Sequence, residues 1–489
     1  VIGRHDAGEL RRLAHAVADL VVDHHLGLTT ASPGRRARPA DLAWLDEPAP
    51  RDPTPADAVL SQVTGGILPH LLKADHPRSF AGVPGPADPV AALADALATG
   101  LNLTTVNWSL AAGPSQVELV TAGWLAAALG MPAGSGGVFT SGGSVANLTA
   151  IAVARDRLGP PPHDRVPIVY HGDQAHPSVG RALRVLGFAP DQIRVLPCDD
   201  DRLVPDAVRA AVTADRAAGR RPLMVIATAG TTNTGTVDPL AELSRVCRDE
   251  GLWFHVDGAF GAAAALGTRG SPRLDGLSEA DSITVDPHKW LFQPFGLGCL
   301  LLREPGALAG TFHLGSDYLT AMHDPGQSRD LGTSGIEYTR PFRAFRLWFT
   351  IKVHGLDAVR DAVDRGLALA SHLAAEVRGR PGFELLTGPR LAVVCFTHRA
   401  AGHDARAHQR ISDRLLDLTP GSLLLPTRVA GRPCFRACTI NPRTTGQDLD
   451  TLLDQIEQLA VTEPERHDGP PSTATPDPSE GRRCPQAGH

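Results

Sequence analysis

Lysine occurs only three times in the 489 residues, at 73, 289 and 352, and the rest of the 47 Lys and Arg residues are arginine. Tyrosine is equally scarce: Tyr170, Tyr318 and Tyr338 are the full set. The seven cysteines are scattered, odd in number and never spaced as CxxC. That pattern argues against a disulfide framework and predicts reduced thiols in a cytoplasmic protein. No uninterrupted apolar run reaches membrane-spanning length. The opening "VIGRHDAGELRRLAHAVADLVVDHH" is charged throughout and lacks the apolar core of a signal peptide. A net charge of −6 gives no basic field for nucleic acid or for a membrane surface. There is no internal repeat. What remains, 42% hydrophobic and 20% charged residues, is the composition of an ordinary globular chain with a large core.

The pattern along the chain divides it. Residues 8–24 place Leu10, Leu13, Ala14, Val17, Leu20 and Val21 at helical spacing. A proline-rich stretch, "ASPGRRARPADLAWLDEPAPRDPTPADAV", follows as an extended arm, and a helical region covers roughly 57–130. From 137 the period changes. Short apolar runs stand at 137–140, 166–170, 193–197, 223–227, 252–256, 282–285 and 298–302, most of them separated by segments of helical length such as 203–215 and 238–250. This alternation predicts an α/β domain with a mostly parallel sheet. A long helix or helix pair from about 350 leads to a smaller domain with strands near 392–397 and 433–440. The tail after 463 has almost no large apolar residue and is expected to be disordered. The expected division is 1–105, an N-terminal helical arm; 106–355, the large α/β domain; 356–462, a small C-terminal domain; and 463–489, the tail.

Ligands of an open α/β sheet bind beyond the carboxyl ends of its strands, so the residues after each run carry the functional reading. "GGVFT" is followed by "SGGSVANLTA", a glycine turn opening a helix, where backbone N–H groups and the helix dipole suit a phosphate. No GK[ST] follows, which excludes a nucleoside-triphosphate P-loop. "PIVY" is followed by His171 and His176, "LMVIA" by Thr228, Thr231 and Thr232, "LWFHV" by Asp257 among tiny neighbours, and "SITV" by Asp286, His288 and Lys289. Taken singly, each has a plain reading: a structural histidine, a polar turn, a lysine paired with a carboxylate. Together they present a phosphate cradle, a flat imidazole, hydroxyls, a carboxylate and an amine. Arginine would serve better than lysine for charge alone, but only lysine can become a neutral amine and condense with a carbonyl. Pyridoxal 5′-phosphate (PLP) uses all five features, with its ring nitrogen on Asp257 and its aldehyde on Lys289.

The motifs "TSGGSVANL", "DQAH", "GTTNTG", "HVDGAFGA", "DPHKW" and "RPFRAFRLW", in this order, make the chain from about 5 to 460 closely similar to the group II PLP-dependent decarboxylases. These include aromatic-L-amino-acid, glutamate, diaminobutyrate and cysteine-sulfinate decarboxylases. The resemblance implies a fold type I architecture, like the PLP-dependent transferases, and a homodimer with active sites at the subunit interface. It implies Lys289 as the Schiff-base lysine, Asp257 as the acid holding the pyridine nitrogen protonated, and His176 as the ring-stacking histidine with Ala259 on the other face. Gly143, Ser144, Thr232, Asp286 and His288 fall at further cofactor-contacting positions. Asp286 stands where many relatives have asparagine.

The implied reaction is decarboxylation of an L-amino acid to the amine and carbon dioxide. Two departures bear on it. In decarboxylating relatives a mobile loop carries a tyrosine that reprotonates Cα; the alignment places Leu331 there, with Tyr338 and His323 as nearby substitutes. Relatives with phenylalanine at that position release an aldehyde by coupled oxidative deamination, which is the first alternative. The substrate wall is the second departure: Ala74, Gly82 and Val83 stand where aromatic-acid decarboxylases carry aromatic residues, and Trp108 supplies an aromatic surface from the partner subunit. Further alternatives are a non-catalytic PLP-binding relative, a zinc site at His171 and His176, and metal hydrolysis through His255, Asp257 and His288.

Overall fold

Each of the seven apolar runs becomes a strand of one sheet. The computed structural model describes residues 6–83, 85–157, 159, 166–313 and 330–461; the expected tail, Tyr318 and His323 lie outside them. The strands are β1 (Gly136–Thr140), β2 (Pro167–Gly172), β3 (Ile193–Leu196), the short hairpin β4 (Cys198–Asp199) and β5 (Arg202–Leu203), then β6 (Arg221–Thr228), β7 (Trp253–Asp257), β8 (Ser282–Val285) and β9 (Gly298–Leu302). The main sheet has the order β1-β9-β8-β7-β6-β2-β3. Only β9 runs antiparallel to its neighbours. Helices cover both faces, so β8 and β9 are buried at every position and read as continuous apolar runs rather than as alternation.

The N-terminal segment contains α1 (Ala7–Gly27), α2 (Ala56–Gln62), α3 (Pro89–Gly100) and α4 (Trp108–Ala128). Side chains cap three of them: Asp6, Asp88 and Asn107 accept from the N–H groups of Glu9, Val90 and Leu110. The helix pair expected after 350 is Ala344–His354 and Leu356–Gly379, broken at Gly355, where φ is +81°. A second sheet, fully antiparallel, has the order β10-β11-β13-β12, formed by Phe383–Arg390, Val393–His398, Arg432–Cys438 and Leu425–Val429. Phe80 joins its core, and the backbone of 79–80 bonds to Leu423 and Cys438, so the N-terminal segment is stitched into this sheet.

Candidate active site

The carboxyl ends of β1, β2, β6, β7 and β8 open into one cavity of about 280 Å³. All nine residues expected to contact the cofactor line it. At the end of β1 the chain turns through Ser141 and Gly142 into α5 (Gly143–Arg157), whose first-turn N–H groups face the space. A side chain at 143 would not fit: its Cβ would lie 2.8 Å from Asp286 Oδ2 and 3.1 Å from Ala259 Cβ. After β2, His176 caps α6 (Pro177–Val185), its Nδ1 accepting from the Ser178 N–H at 3.2 Å. The ring proton therefore sits on Nε2. Desolvation lowers the pKa of His176, and the Asp257 charge partly opposes this.

Asp257, at the last position of β7, is buried. Its Oδ2 accepts from Asn147 Nδ2 at 2.8 Å and its Oδ1 from the Ala259 N–H at 3.2 Å. After β8, the Lys289 N–H donates to the Asp286 carbonyl at 2.9 Å, a turn that brings the two side chains together: Lys289 Nζ lies 2.9 Å from Asp286 Oδ2. The other carboxylate oxygen, Asp286 Oδ1, is buried without a hydrogen-bond partner among the described residues. The His288 Nδ1–H donates to the Leu297 carbonyl at 2.7 Å; burial lowers the His288 pKa, and Asp286 opposes the shift.

Supports behind Lys289 fix its backbone. Trp290 is fully buried and stacks on Phe260, with ring centroids 5.3 Å apart. Arg346 donates to the carbonyls of Phe295 and Pro294 at 3.0 and 3.3 Å, tying down the loop after the lysine. Gly85 passes so close that a Cβ there would lie 1.7 Å from the Lys289 carbonyl oxygen. Arg340, buried, pairs with buried Glu118 and donates to the Phe139 carbonyl at 2.9 Å, joining α4 to the strand that precedes the glycine turn.

Not every expected residue reaches the cavity. Thr228 and Thr232 line it, but the Thr231 hydroxyl is turned into its own loop, bonded to Thr234 at 3.0 Å. Gly82, Val83, Trp108, Leu331 and Tyr338 do not line the cavity of the single chain. Gly82 and Val83 lie three and two residues before Gly85. Leu331 is buried in a short turn held to the start of α4, where the Trp108 N–H donates to Asp330 Oδ1 at 2.7 Å and the Gly332 N–H to the Val106 carbonyl at 2.7 Å. Tyr338 is 38% exposed. His171 bonds the Gly172 carbonyl, and the described residues bring no third metal ligand beside it and His176. His255 turns to Ser282 and Asn147 rather than toward His288, so the metal-hydrolysis arrangement does not form.

Three residues that the sequence reading passed over stand out. Asn147 and Ser178 line the cavity and bond Asp257 and His176. Arg436 is buried; one Nη donates to the Ala81 carbonyl at 3.0 Å, while Nε and the other Nη have no partner among the described residues. Asn147 was readable only as one polar residue in "SGGSVANLTA"; Arg436 offered no signal beyond a charge inside an apolar run.

A family model described as "Pyridoxal-dependent decarboxylase conserved domain" matches residues 39–399. The chain belongs to the pyridoxal-dependent decarboxylase family. It is 37% identical over 465 residues to the aromatic-L-amino-acid decarboxylase of Bacillus atrophaeus, covering 93% of this chain and 96% of that protein. Oryza sativa TDC with PLP and tryptamine superposes with a TM-score of 0.86 at 26% identity, over 93% of this chain and 98% of that one. Rhodiola rosea 4-hydroxyphenylacetaldehyde synthase superposes with a TM-score of 0.84, also at 26% identity, over 93% and 98% of the two chains. The chain is a PLP-dependent amino-acid decarboxylase with the fold type I architecture of this family. The cavity fits that cofactor: a glycine-opened helix start that a Cβ would fill, a buried carboxylate, a flat imidazole and an amine face the same space.

Proposed function

We propose that this decarboxylase converts an aromatic L-amino acid to its amine and carbon dioxide, with Lys289, Asp257 and His176 as its catalytic residues. The observation that carries the site assignment is their convergence on one cavity from three different strand ends. The substrate class rests on the likeness, over nearly its whole length, to an aromatic-L-amino-acid decarboxylase.

Bound PLP supplies an electron-withdrawing ring that accepts the electron pair released as carbon dioxide departs. The chain's own groups do the rest. Backbone N–H groups at Gly143 and Ser144, with the Thr232 hydroxyl, would hold the phosphate. Asp257 would keep a proton on the ring nitrogen, His176 and Ala259 would flank the ring, and the Lys289 amine would hold the aldehyde and yield that place to the substrate's amino group. The guanidinium edge of Arg436, unpartnered among the described residues, is the group we assign to the substrate carboxylate.

The proton returned to Cα decides the product. Leu331 has none to give, whereas the Lys289 ammonium and the His176 Nε2–H do. This favours the amine, with the aldehyde as the second reading, supported by the leucine at 331 and by structural likeness to an aldehyde synthase. Mass spectrometry of the products from a panel of L-amino acids, with and without oxygen, separates them. Aromatic amine and carbon dioxide without oxygen uptake are expected. Aldehyde, ammonia and peroxide would overturn the amine assignment, and no turnover at full cofactor occupancy would leave a non-catalytic relative.

The same reading extends to assembly and place. A homodimer is supported by α1, which has no buried residue and exposes Leu10, Val17, Leu20 and Leu26. A reducing, cytoplasmic setting is supported by six free cysteines among the described residues; none of the described helices is long and apolar enough to cross a membrane. The division at 105, 355 and 462 is supported by a separate core between Leu369 and Ala460, to which Phe80 contributes.

A further inference from the structure

Asn147 lies on the buried face of α5 and is 1% exposed. Its amide uses all of its hydrogen-bonding capacity. Nδ2 donates to Asp257 Oδ2 at 2.8 Å and to Ser178 Oγ at 3.2 Å, while Oδ1 accepts from Thr284 Oγ1 at 2.7 Å and from His255 Nε2 at 3.1 Å. The direction is fixed from the Asp257 end: that carboxylate can only accept, so it takes the amide nitrogen, and the Asn147 oxygen faces Thr284 and His255. His255 therefore carries its proton on Nε2, and its Nδ1 accepts at 2.8 Å from Ser282 Oγ, which itself accepts from the Trp253 indole at 2.8 Å. The branch through Ser178 ends at His176, where Ser178 Oγ lies 2.8 Å from Nδ1.

We infer that Asn147 is a positioning residue that sets two catalytic groups at once: it holds Asp257 in the carboxylate form opposite the ring nitrogen, and through Ser178 it keeps the His176 proton on Nε2. A carboxylate stripped of a donor in a buried site is a stronger base. Without the amide, Asp257 draws the proton off the ring nitrogen, and the ring becomes a weaker electron sink. This inference rests on the proposed placement of the ring nitrogen at Asp257, and the test separates the two.

The experiment loads nitrogen-15-labelled PLP into the wild-type enzyme, Asn147→Leu, Thr284→Val and Asp257→Ala, and reads the pyridine nitrogen resonance. The wild type should show a protonated ring, and Asn147→Leu should move the resonance toward neutral pyridine. Asn147→Leu should also weaken PLP binding by about tenfold, the scale of one hydrogen bond to a charged group. Its affinity for a deaza analogue, with carbon in place of the ring nitrogen, should stay within about twofold, since the lost bond then has no ring proton to act on. A folded, cofactor-binding Asn147→Leu with the wild-type resonance overturns the inference. If that variant does not fold, Thr284→Val, which removes one of the two groups that aim the amide, should shift the resonance in the same direction; no shift there overturns it equally. If Asp257→Ala also leaves the resonance unchanged, the placement of the ring itself is wrong. If Asp257→Ala moves it and the other two do not, only the role of Asn147 fails.

Discussion

Lys289 gives the sharpest consequence of the proposed chemistry. Lys289→Ala should retain the fold and lose the covalent cofactor adduct that borohydride traps; persistent labelling would place the reactive amine elsewhere. Asp286 matters differently. Its carboxylate sits against the helix start assigned to an anionic phosphate, and one of its oxygens has no partner among the described residues. Removing the charge in Asp286→Asn should tighten PLP binding by about tenfold, a modest Coulomb term at this range. Titration of cofactor into the cofactor-free variant measures it, and equal or weaker affinity would refute the repulsion. His255 carries a pH signature of its own. Burial pushes its pKa from 6.5 down to about 4. The unfolded chain thus takes up this proton more readily. The stability is full above about pH 6.5 and lost as pH falls toward 4, by up to about 3 kcal/mol. Urea unfolding across that window should show the slope, and His255→Gln should flatten it.

The elements show what could be read from sequence and what could not. Strands buried on both faces announce themselves as short apolar runs, as six of the seven do; the edge strand β3 is only partly covered, yet all seven were legible, as were the residues at their ends. Asn147 was not, because a polar residue on a helix is ordinarily placed toward solvent; α5 buries Ala146, Asn147 and Thr149 while the apolar Val145 and Leu148 are only half-buried. β10 and β12 were missed because they are broken by Gly388 and Pro389 and by Pro426, residues that mark turns or edges. The buried Arg340–Glu118 pair is a contact between distant segments that no local period encodes. Arg340→Met leaves Glu118 buried without its cation and should cost about 3 kcal/mol or more in urea unfolding. A loss below about 1 kcal/mol would mean the carboxyl is solvated or protonated there.

Across the whole molecule, the proposed dimer accounts for an α1 whose Leu10, Val17 and Leu20 are exposed and which buries none of its side chains among the described residues. Sedimentation should give twice the chain mass, and paired Val17→Glu and Leu20→Glu substitutions should shift it toward monomer with loss of activity; a wild-type monomer that is fully active would refute shared sites. The glycine at 85 has a different kind of consequence. It lies within one segment, 74–88, that also carries Ala74, Gly82 and Val83, and its absent side chain is the clearance for the Lys289 carbonyl. Redesign of this segment, expected from sequence to form the substrate wall, is thus mechanically geared to the proposed Schiff-base lysine. Positions 74, 82 and 83 can be randomised, but a library that also varies 85 will accumulate inactive members whose pocket is well shaped and whose lysine has been pushed out of place.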